Sequence, residues 1–186
     1  MQLVSGDAGS ELAALDAATD AHAVTADRAE GGGGAEDADA VADAGATASC
    51  AERCLVAGGT CEDGTCMLSC PGHAGCGSVV TCPPGVPCRI TCTGKEACKT
   101  VSCGEATRCT VLCEGEQACK GKVSSMATDT SITCTGKDAC DTDVTCSGAT
   151  CAVTCSSTDG RGCDPAKVRC CASACTYNGS AGTCPP

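Results

Sequence analysis

Apolar and polar residues alternate in short segments that recur along the second part of the chain. In one segment, Cys88, Ile90 and Cys92 fall on one side of an extended backbone. The intervening Arg89 and Thr91 fall on the other side. A period of two with a β-branched residue at its centre predicts a β-strand with one buried face. Equivalent segments occupy residues 109–113 and 151–155.

A shorter triplet, V-[ST]-C, follows most of these segments and predicts a second strand in each unit. The triplets lie at 80–82, 101–103 and 144–146. The combined unit reads C-x-Φ-x-C-x-G-x-x-A-C and then V-[ST]-C, where Φ is apolar. Successive units begin at Cys66, Cys88, Cys109, Thr130 and Cys151, which lie 22, 21, 21 and 21 residues apart. A fixed period of this length predicts an all-β solenoid with one coil for each of the five units.

A glycine stands two residues after the cysteine that ends the first strand in four successive units. These glycines are Gly72, Gly94, Gly115 and Gly136. Glycine at a fixed position between two strands predicts a corner of the coil at which the backbone needs a positive φ.

The composition limits what can fill the interior of such a coil. The chain has 186 residues, with 24 Cys, one Tyr (Tyr177), and neither Phe nor Trp. The interior must therefore consist of Val, Ile, Leu and cysteine side chains. The same count argues against a binding platform of aromatic rings, because one Tyr cannot stack successive bases or sugar rings.

Cysteine spacing separates metal binding from disulfide formation. Between Cys50 and Cys184 there is no C-x-x-C and no C-x-C, the spacings of zinc ribbons, iron–sulfur proteins and metallothioneins. Histidine is also scarce, with only His22 and His73. We therefore expect no metal site, no cofactor, and pairing of the 24 cysteines as disulfides.

One unit lacks two cysteines at once, and this double loss predicts the connectivity. Ser125 stands where the second strand should end in Cys, and Thr130 stands where the next unit should begin with Cys. Pairing the last Cys of one unit with the first Cys of the next leaves no orphan thiol after this loss. The predicted pairs of this kind are Cys82–Cys88, Cys103–Cys109, Cys146–Cys151 and Cys170–Cys175. The other columns then pair around the opposite corner as Cys70–Cys76, Cys92–Cys98, Cys113–Cys119, Cys134–Cys140 and Cys155–Cys163.

Six cysteines fall outside this regular scheme. The vicinal residues at 170 and 171 are interpreted as two cysteines with different partners. The remaining residues allow the pairs Cys54–Cys61, Cys50–Cys66 and Cys171–Cys184. Sequence alone does not fix a connectivity, so these assignments stay open here.

Residues 1–49 differ from the rest of the chain in charge and composition. They contain ten acidic residues and one basic residue, a net charge of −9 against −11 for the whole chain, and no cysteine. An Ala-, Asp- and Gly-rich segment of this kind buries too little apolar surface to offset its ordering entropy. We therefore assign 1–49 to a disordered acidic tether and 50–186 to a cysteine-rich β-repeat domain.

Charge and hydropathy also limit the partners and the location. An acidic chain without a basic stripe argues against nucleic-acid binding, and no apolar stretch is long enough to span a membrane. The cysteine content indicates an extracytoplasmic protein, secreted or at the outer cell surface. Met1 to Asp7 show neither the basic nor the apolar region of an export signal. We therefore expect either a start codon further upstream, with room for a lipid anchor, or a signal already removed.

Outward threonines are the first candidate for a binding surface. Thr91 and Thr93 belong to one T-C-T triplet, and Thr133 and Thr135 belong to another. These triplets resemble the faces of the short-coil insect antifreeze proteins, which implies an ice- or ion-binding solenoid as an alternative function. The unit between them reads L-C-E instead, and Thr is a common residue on any strand surface.

The sequence offers little support for catalysis. His73 lies in an expected corner loop with no Ser or Cys nucleophile identifiable beside it. Asp141 and Asp143 alternate on one strand face and could hold a cation. Lys120 and Lys122, one coil earlier, instead favour a solvated face of mixed charge. We therefore expect no catalytic residues.

The chain resembles the cysteine-rich repeat proteins and lipoproteins that myxobacteria-like, high-GC deltaproteobacteria export. The resemblance rests on the Ala/Gly/Asp-rich tether and the C-x-G-x-x-A-C repeat, and it implies a location more than an activity. Together these observations predict a non-enzymatic, extracytoplasmic structural or interaction module. Its expected role is to display a polar strand face to a protein, a glycan or the extracellular matrix.

Overall fold

The computed structural model describes residues 48–157, 162–178 and 180–181. These residues form a disulfide-rich β-solenoid of about five turns, with successive turns about 21 residues apart. The predicted fold class is therefore confirmed. The tether predicted for residues 1–49 lies outside the described residues, apart from Ala48 and Ser49.

Each coil contributes one longer and one shorter strand, as the two-strand unit predicts. The strands are β1 (Thr60–Glu62), β2 (Thr65–Pro71), β3 (Val79–Thr81), β4 (Cys88–Thr93), β5 (Thr100–Ser102), β6 (Arg108–Glu114), β7 (Val123–Ser125), β8 (Asp129–Thr135), β9 (Val144–Cys146), β10 (Thr150–Ser156), β11 (Val168–Cys170), β12 (Ala174–Tyr177) and β13 (Ser180–Ala181). A 3-10 turn, Pro165–Lys167, precedes β11.

The strands stack into two sheets along the solenoid axis. The larger sheet has the order β1-β2-β4-β6-β8-β10-β12-β13, and the smaller sheet has the order β11-β9-β7-β5-β3. Within the repeat, neighbouring strands are parallel and lie one coil apart. At the two ends of the larger sheet, β1 and β13 pair antiparallel with their neighbours. These two strands cover the outer edges of β2 and β12, whose backbone groups would otherwise be unpaired.

Two columns of aliphatic side chains fill the interior, one from each sheet. The larger sheet contributes Leu68, Ile90, Val111, Ile132 and Val153, and the smaller sheet contributes Val80, Val101, Val123 and Val144. Every one of these side chains is at most 6% exposed. Disulfides flank both columns at the corners. The expected core of aliphatic residues and cystine is confirmed.

The disulfides close the corners of the coils. The nine corner pairs predicted from the repeat are the pairs that the structure forms, with Cα–Cα distances between 5.2 and 6.2 Å. Each Cα–Cα distance lies below the limit of about 7 Å for an undistorted disulfide. The connectivity therefore follows the scheme that the double loss at Ser125 and Thr130 predicts.

The pairing suggested for the first four cysteines is wrong. The structure joins Cys50 to Cys61 and Cys54 to Cys66, instead of Cys54 to Cys61 and Cys50 to Cys66. The reason is a helix that the repeat does not predict. Four residues apart in a helix, Cys50 and Cys54 lie one above the other on the same face. Each then bonds a different strand of the hairpin that β1 and β2 form.

This helix, α1, spans Cys50–Val56 and begins with a capping box. The Ser49 side chain accepts a hydrogen bond from the Glu52 backbone, and the Glu52 carboxylate accepts one from the Ser49 backbone. The Ser49 hydroxyl also donates to the Glu52 carboxylate at 3.0 Å. The bonds from the Ser49 backbone and from the Ser49 hydroxyl lower the pKa of the Glu52 carboxyl, the backbone bond having the larger effect. Within the described residues, no helix is long and apolar enough to cross a membrane.

Cys171 is the one described cysteine without a disulfide, and its side chain is exposed. The neighbouring Cys170 pairs with Cys175, as predicted. The partner suggested for Cys171 was Cys184, which lies outside the described residues.

The four corner glycines have the positive φ that their spacing predicts. The φ angles are +78° for Gly72, +116° for Gly94, +122° for Gly115 and +129° for Gly136. The structure adds a second reason for glycine, which is close stacking of one corner on the next. A Cβ at Gly136 would lie 2.6 Å from the carbonyl oxygen of Gly115. Real Cβ atoms do not come that close to a backbone oxygen, so a side chain is excluded at Gly136, whereas a Cβ at Gly72 in the first coil would meet no atom within 4 Å.

A hydrogen bond replaces the missing disulfide in the third coil. Ser125 and Thr130 are both buried, and their hydroxyl oxygens lie 2.6 Å apart. Ser125 Oγ also accepts a hydrogen bond from the Ala127 backbone at 3.2 Å. Two buried hydroxyls therefore satisfy each other in the place where the other coils have two bonded sulfurs.

Replacing Ser125 and Thr130 together by Cys should restore the disulfide and stabilise the oxidised protein. Loop closure contributes about 2 kcal/mol and the lost hydrogen bond removes about 1, so we expect a net gain of about 1 kcal/mol. Guanidinium unfolding of the oxidised protein, together with a free-thiol count, measures this gain.

Two controls make that measurement specific. Adding a reductant should abolish the gain, and Thr130→Val alone should cost about 1–3 kcal/mol because it leaves the buried Ser125 hydroxyl without its partner. Two free thiols persisting in the folded double variant would contradict the expected corner geometry.

Candidate functional site on the strand faces

The outward face of the larger sheet carries the four threonines predicted to bind a surface. Thr91 and Thr93 lie on β4, Thr133 and Thr135 lie on β8, and all four are half-buried. Alternation along each strand turns these side chains away from the aliphatic core. The predicted outward position of the four threonines is therefore confirmed.

The two threonine pairs are not adjacent, because β6 lies between β4 and β8. Leu112 pairs in register with both Thr91 and Thr133. Glu114 occupies the same position between the other two threonines. This face therefore lacks the uninterrupted threonine array that ice binding through these residues would require.

The outward face of the smaller sheet carries a continuous hydroxyl column that was not among the predicted sites. Thr81, Ser102, Ser124 and Thr145 pair in register on four successive strands, and Arg169 follows on β11. Parallel strands lie about 4.8 Å apart, so one hydroxyl recurs at roughly that interval. The V-[ST]-C triplet indicates this column in the sequence. When its Val and Cys point inward, its middle Ser or Thr must point outward, and the triplet recurs in successive units.

A shallow groove of about 320 Å³ lies beside the centre of this hydroxyl column. Its lining residues are Ser102, Gly104, Lys122, Ser124, Ser125, Met126, Thr145 and Ser147. Lys122 is the only charged residue among them, and Met126 is 60% exposed. The groove also borders the corner without a disulfide, since Ser125 lines it. Hydroxyls, one cation and an exposed thioether thus meet on one face.

Two hydroxyls of this groove make long hydrogen bonds to the protein. Ser124 Oγ donates to the Val101 carbonyl at 3.5 Å, and Ser147 Oγ donates to the Ser125 carbonyl at 3.4 Å. Hydroxyl hydrogen bonds are usually about 2.7–2.8 Å long, so these are weak. Both hydroxyls can therefore donate to a ligand with better-placed acceptor atoms, because little hydrogen-bond energy is lost when they leave the backbone carbonyls.

Charged side chains form a ladder at the glycine corners. Lys95 pairs with Glu116 at 3.5 Å, and Lys120 pairs with Glu96 at 3.0 Å. The Lys120 hydrogen bond holds the pKa of Glu96 below its usual value. These pairs are exposed, so each stabilises the coil stack only weakly. His73 is itself exposed in the first of these corners.

Asp141 has a different cationic neighbour from the one predicted. Lys167 Nζ, one coil later, donates to the Asp141 backbone carbonyl at 2.6 Å and lies 3.8 Å from both the Asp141 and the Asp164 carboxylate. The predicted partners, Lys120 and Lys122, lie in the preceding coil. The prediction of a strand face is wrong, because Asp141 and Asp143 precede β9. Asp141 does have a lysine neighbour, but that lysine, Lys167, lies in the following coil and not in the preceding one.

A second, apolar groove of about 500 Å³ lies at the end of the solenoid that carries α1. It lies between α1 and the corner after β3. Val56, Ala57 and Pro83 contribute to its lining, and Arg53 donates a hydrogen bond across it to the Pro84 carbonyl at 2.7 Å. Leu55 and Val56 on α1 are 76% and 91% exposed. This groove caps the first coil, and its lining includes Thr81, the first residue of the hydroxyl column.

Comparison with known proteins gave no match, whether to a protein-family model, to a curated protein or to a solved structure. The function must therefore be inferred from the chemistry of the strand faces themselves.

Proposed function

We propose that this protein is a non-enzymatic, extracytoplasmic interaction module that binds an extended partner along the face of its smaller sheet. The observation that carries the proposal is the continuous hydroxyl column, Thr81, Ser102, Ser124 and Thr145, beside a groove that contains Lys122. A column of identical groups at a constant interval suits a partner that is itself repetitive.

The scaffold supports this role because it fixes the spacing of the column. Eleven disulfides join all of the described cysteines except Cys171, and most of them close a corner of six to nine residues. A face held in this way loses little conformational entropy on binding. Disulfides in this number also require an oxidising compartment, which supports a location outside the cytoplasm.

The chemistry of the face favours an acidic glycan as the partner. Serine and threonine hydroxyls both donate and accept hydrogen bonds, which suits the hydroxyls of a sugar chain. Lys122 in the groove and Arg169 at the end of the column add positive charge, which complements a carboxylate or sulfate. We therefore propose an extended polysaccharide with acidic groups, bound through hydrogen bonds and charge rather than by aromatic stacking.

A charge reversal on the groove tests the proposal. Binding to an array of acidic and neutral polysaccharides should show retention on acidic chains, and Lys122→Glu should weaken that binding at least tenfold, which is about 1.4 kcal/mol. Arg89→Glu is the matched control, because Arg89 is exposed on the larger sheet and its substitution changes the net charge by the same two units as Lys122→Glu.

Three outcomes would count against the proposed partner. These are equal retention on neutral and acidic chains, equal losses for Lys122→Glu and Arg89→Glu, and binding only to proteins of the matrix. The last result would keep the interaction module but replace the glycan by a protein.

A further inference from the structure

Five corner disulfides stack into one continuous sulfur column along the solenoid. They are Cys70–Cys76, Cys92–Cys98, Cys113–Cys119, Cys134–Cys140 and Cys155–Cys163. At every step, the first cysteine of one pair and both cysteines of the next pair have their sulfurs within 4.8 Å of one another. The four groups that connect the five coils are Cys70/Cys92/Cys98, Cys92/Cys113/Cys119, Cys113/Cys134/Cys140 and Cys134/Cys155/Cys163.

The disulfides at the opposite corner do not form a continuous column. Cys82 lies close to the next pair, with its sulfur 3.9 Å from that of Cys109. In the coil after Cys103–Cys109, however, the hydroxyl pair of Ser125 and Thr130 takes the place of a disulfide. This second column is interrupted in the middle of the repeat, so the chain contains both a continuous and a broken version of the same arrangement.

Burial along the continuous column is lowest at its two ends. Cys76 in the first coil and Cys155 in the last coil are partly exposed. The connecting sulfurs of Cys70, Cys92 and Cys113 belong to residues with 0% exposure. A solvent thiol can therefore reach the column at Cys76, whereas the sulfurs in between are accessible only to one another.

We propose that this column is an intramolecular thiol relay. In the first step, an external thiolate attacks Cys76 Sγ, forms a mixed disulfide there and releases the Cys70 thiolate. The Cys70 thiolate then attacks Cys98 Sγ, which forms a Cys70–Cys98 bond and releases the Cys92 thiolate. Each step makes one S–S bond and breaks one, so no oxidant or reductant is consumed beyond the single external thiol.

The remaining steps repeat the same exchange. Cys92 attacks Cys119 and releases Cys113, Cys113 attacks Cys140 and releases Cys134, and Cys134 attacks Cys163 and releases Cys155. The final state carries the external thiol on Cys76 and a thiolate on Cys155, with inter-coil disulfides Cys70–Cys98, Cys92–Cys119, Cys113–Cys140 and Cys134–Cys163. The thiolate has moved four coils, a distance of about 19 Å at about 4.8 Å per strand.

Solvation gives the relay its direction. A thiolate at a fully buried position such as Cys70 is poorly solvated, and an uncompensated buried charge is costly. Each exchange forms one S–S bond and breaks another, so the bond energy hardly changes while the negative charge moves along the column. The charge finally reaches Cys155, which is partly exposed. This activity is independent of glycan binding, because it uses the buried corner sulfurs and not the hydroxyl face.

Disulfide mapping after treatment with a monothiol tests the relay. The exposed Cys171 thiol is first blocked with N-ethylmaleimide, because it would otherwise compete. Glutathione is then added, samples are quenched with iodoacetamide over time, and peptides are mapped by mass spectrometry. We expect glutathione on Cys76, carbamidomethylation that shifts from Cys70 to Cys155, and a Cys70–Cys98 bond.

A variant that copies the natural interruption provides the matched control. Cys134→Ser with Cys140→Thr replaces one disulfide of the column by the hydroxyl pair that the chain already uses at Ser125 and Thr130. Carbamidomethylation should then stop at Cys113 and should not reach Cys155.

The relay is overturned if alkylation in the wild-type protein stays on Cys70. It is also overturned if Cys155 is alkylated while glutathione is found on Cys163, because the last disulfide is then attacked directly from solvent. The wild-type result decides the question even if the Cys134→Ser, Cys140→Thr variant does not fold.

Discussion

Replacing Gly136 by Ala should destabilise the oxidised protein by roughly 3–5 kcal/mol, since it combines backbone strain with a clash between coils. The backbone at Gly136 has φ +129°, which L-residues rarely adopt, and an added Cβ would lie 2.6 Å from the Gly115 carbonyl oxygen. The corner cannot move away, because the coil above and the coil below hold it through backbone hydrogen bonds. The midpoint of guanidinium unfolding, with disulfides intact, measures the loss.

Gly72→Ala is the matched control for this clash. Gly72 occupies the same position in the first coil and has φ +78°, but a Cβ there would meet no atom within 4 Å. We expect its loss to be about 1–2 kcal/mol, the cost of placing an L-residue in the left-handed region. Equal losses at Gly72 and Gly136 would mean that stacking of the corners contributes nothing.

Replacing Ile132 by Ala should cost about 3 kcal/mol, within the range of about 2–5 kcal/mol for truncating a buried Ile. Ile132 is fully buried between Val111 and Val153, and each coil contributes only one such side chain per sheet. A narrow coil held by disulfides cannot collapse around the resulting cavity. The free energy of unfolding in guanidinium, compared with that of the wild-type protein, checks this expectation.

Two further variants separate burial from side-chain size. Ile132→Val removes one methylene and should cost about 1 kcal/mol. Leu112→Ala removes three carbon atoms, as many as Ile132→Ala does. Leu112 lies on the neighbouring strand, points outward and is only half-buried, so its replacement should cost clearly less than Ile132→Ala. A cost for Leu112→Ala as large as that for Ile132→Ala would contradict the assignment of inward and outward positions.

The regular part of the fold could be predicted because each feature of it is local and repeated. Alternation about Ile90 predicts a strand and its buried face, and the same pattern in five units predicts the solenoid. The loss of cysteine at both Ser125 and Thr130 predicts which cysteines pair. Pairing the last cysteine of one unit with the first of the next leaves no orphan thiol there, whereas pairing within one column or across one coil would leave orphans. The structure forms all nine of those corner disulfides.

The cap before the repeat could not be predicted in the same way, because it occurs once. Nothing repeats there to show whether Cys50 and Cys54 lie on a helix or a strand. The Ser49 and Glu52 capping box settles the helix, and the helix then directs the two cysteines to different strands of the hairpin. A single local signal therefore decides a connectivity that cysteine spacing alone left open.

By itself the sequence determined which side chains point inward, where the corners need glycine, and how cysteines of one corner pair. These properties depend on residues close together in the chain. Only the tertiary structure decided which outward residues lie side by side. It separates the Thr91 and Thr133 strands by Leu112, and it aligns Ser102 with Ser124 in a continuous column. The physical reason is that lateral neighbours lie a full coil apart in sequence, so the stacking of whole coils sets their register.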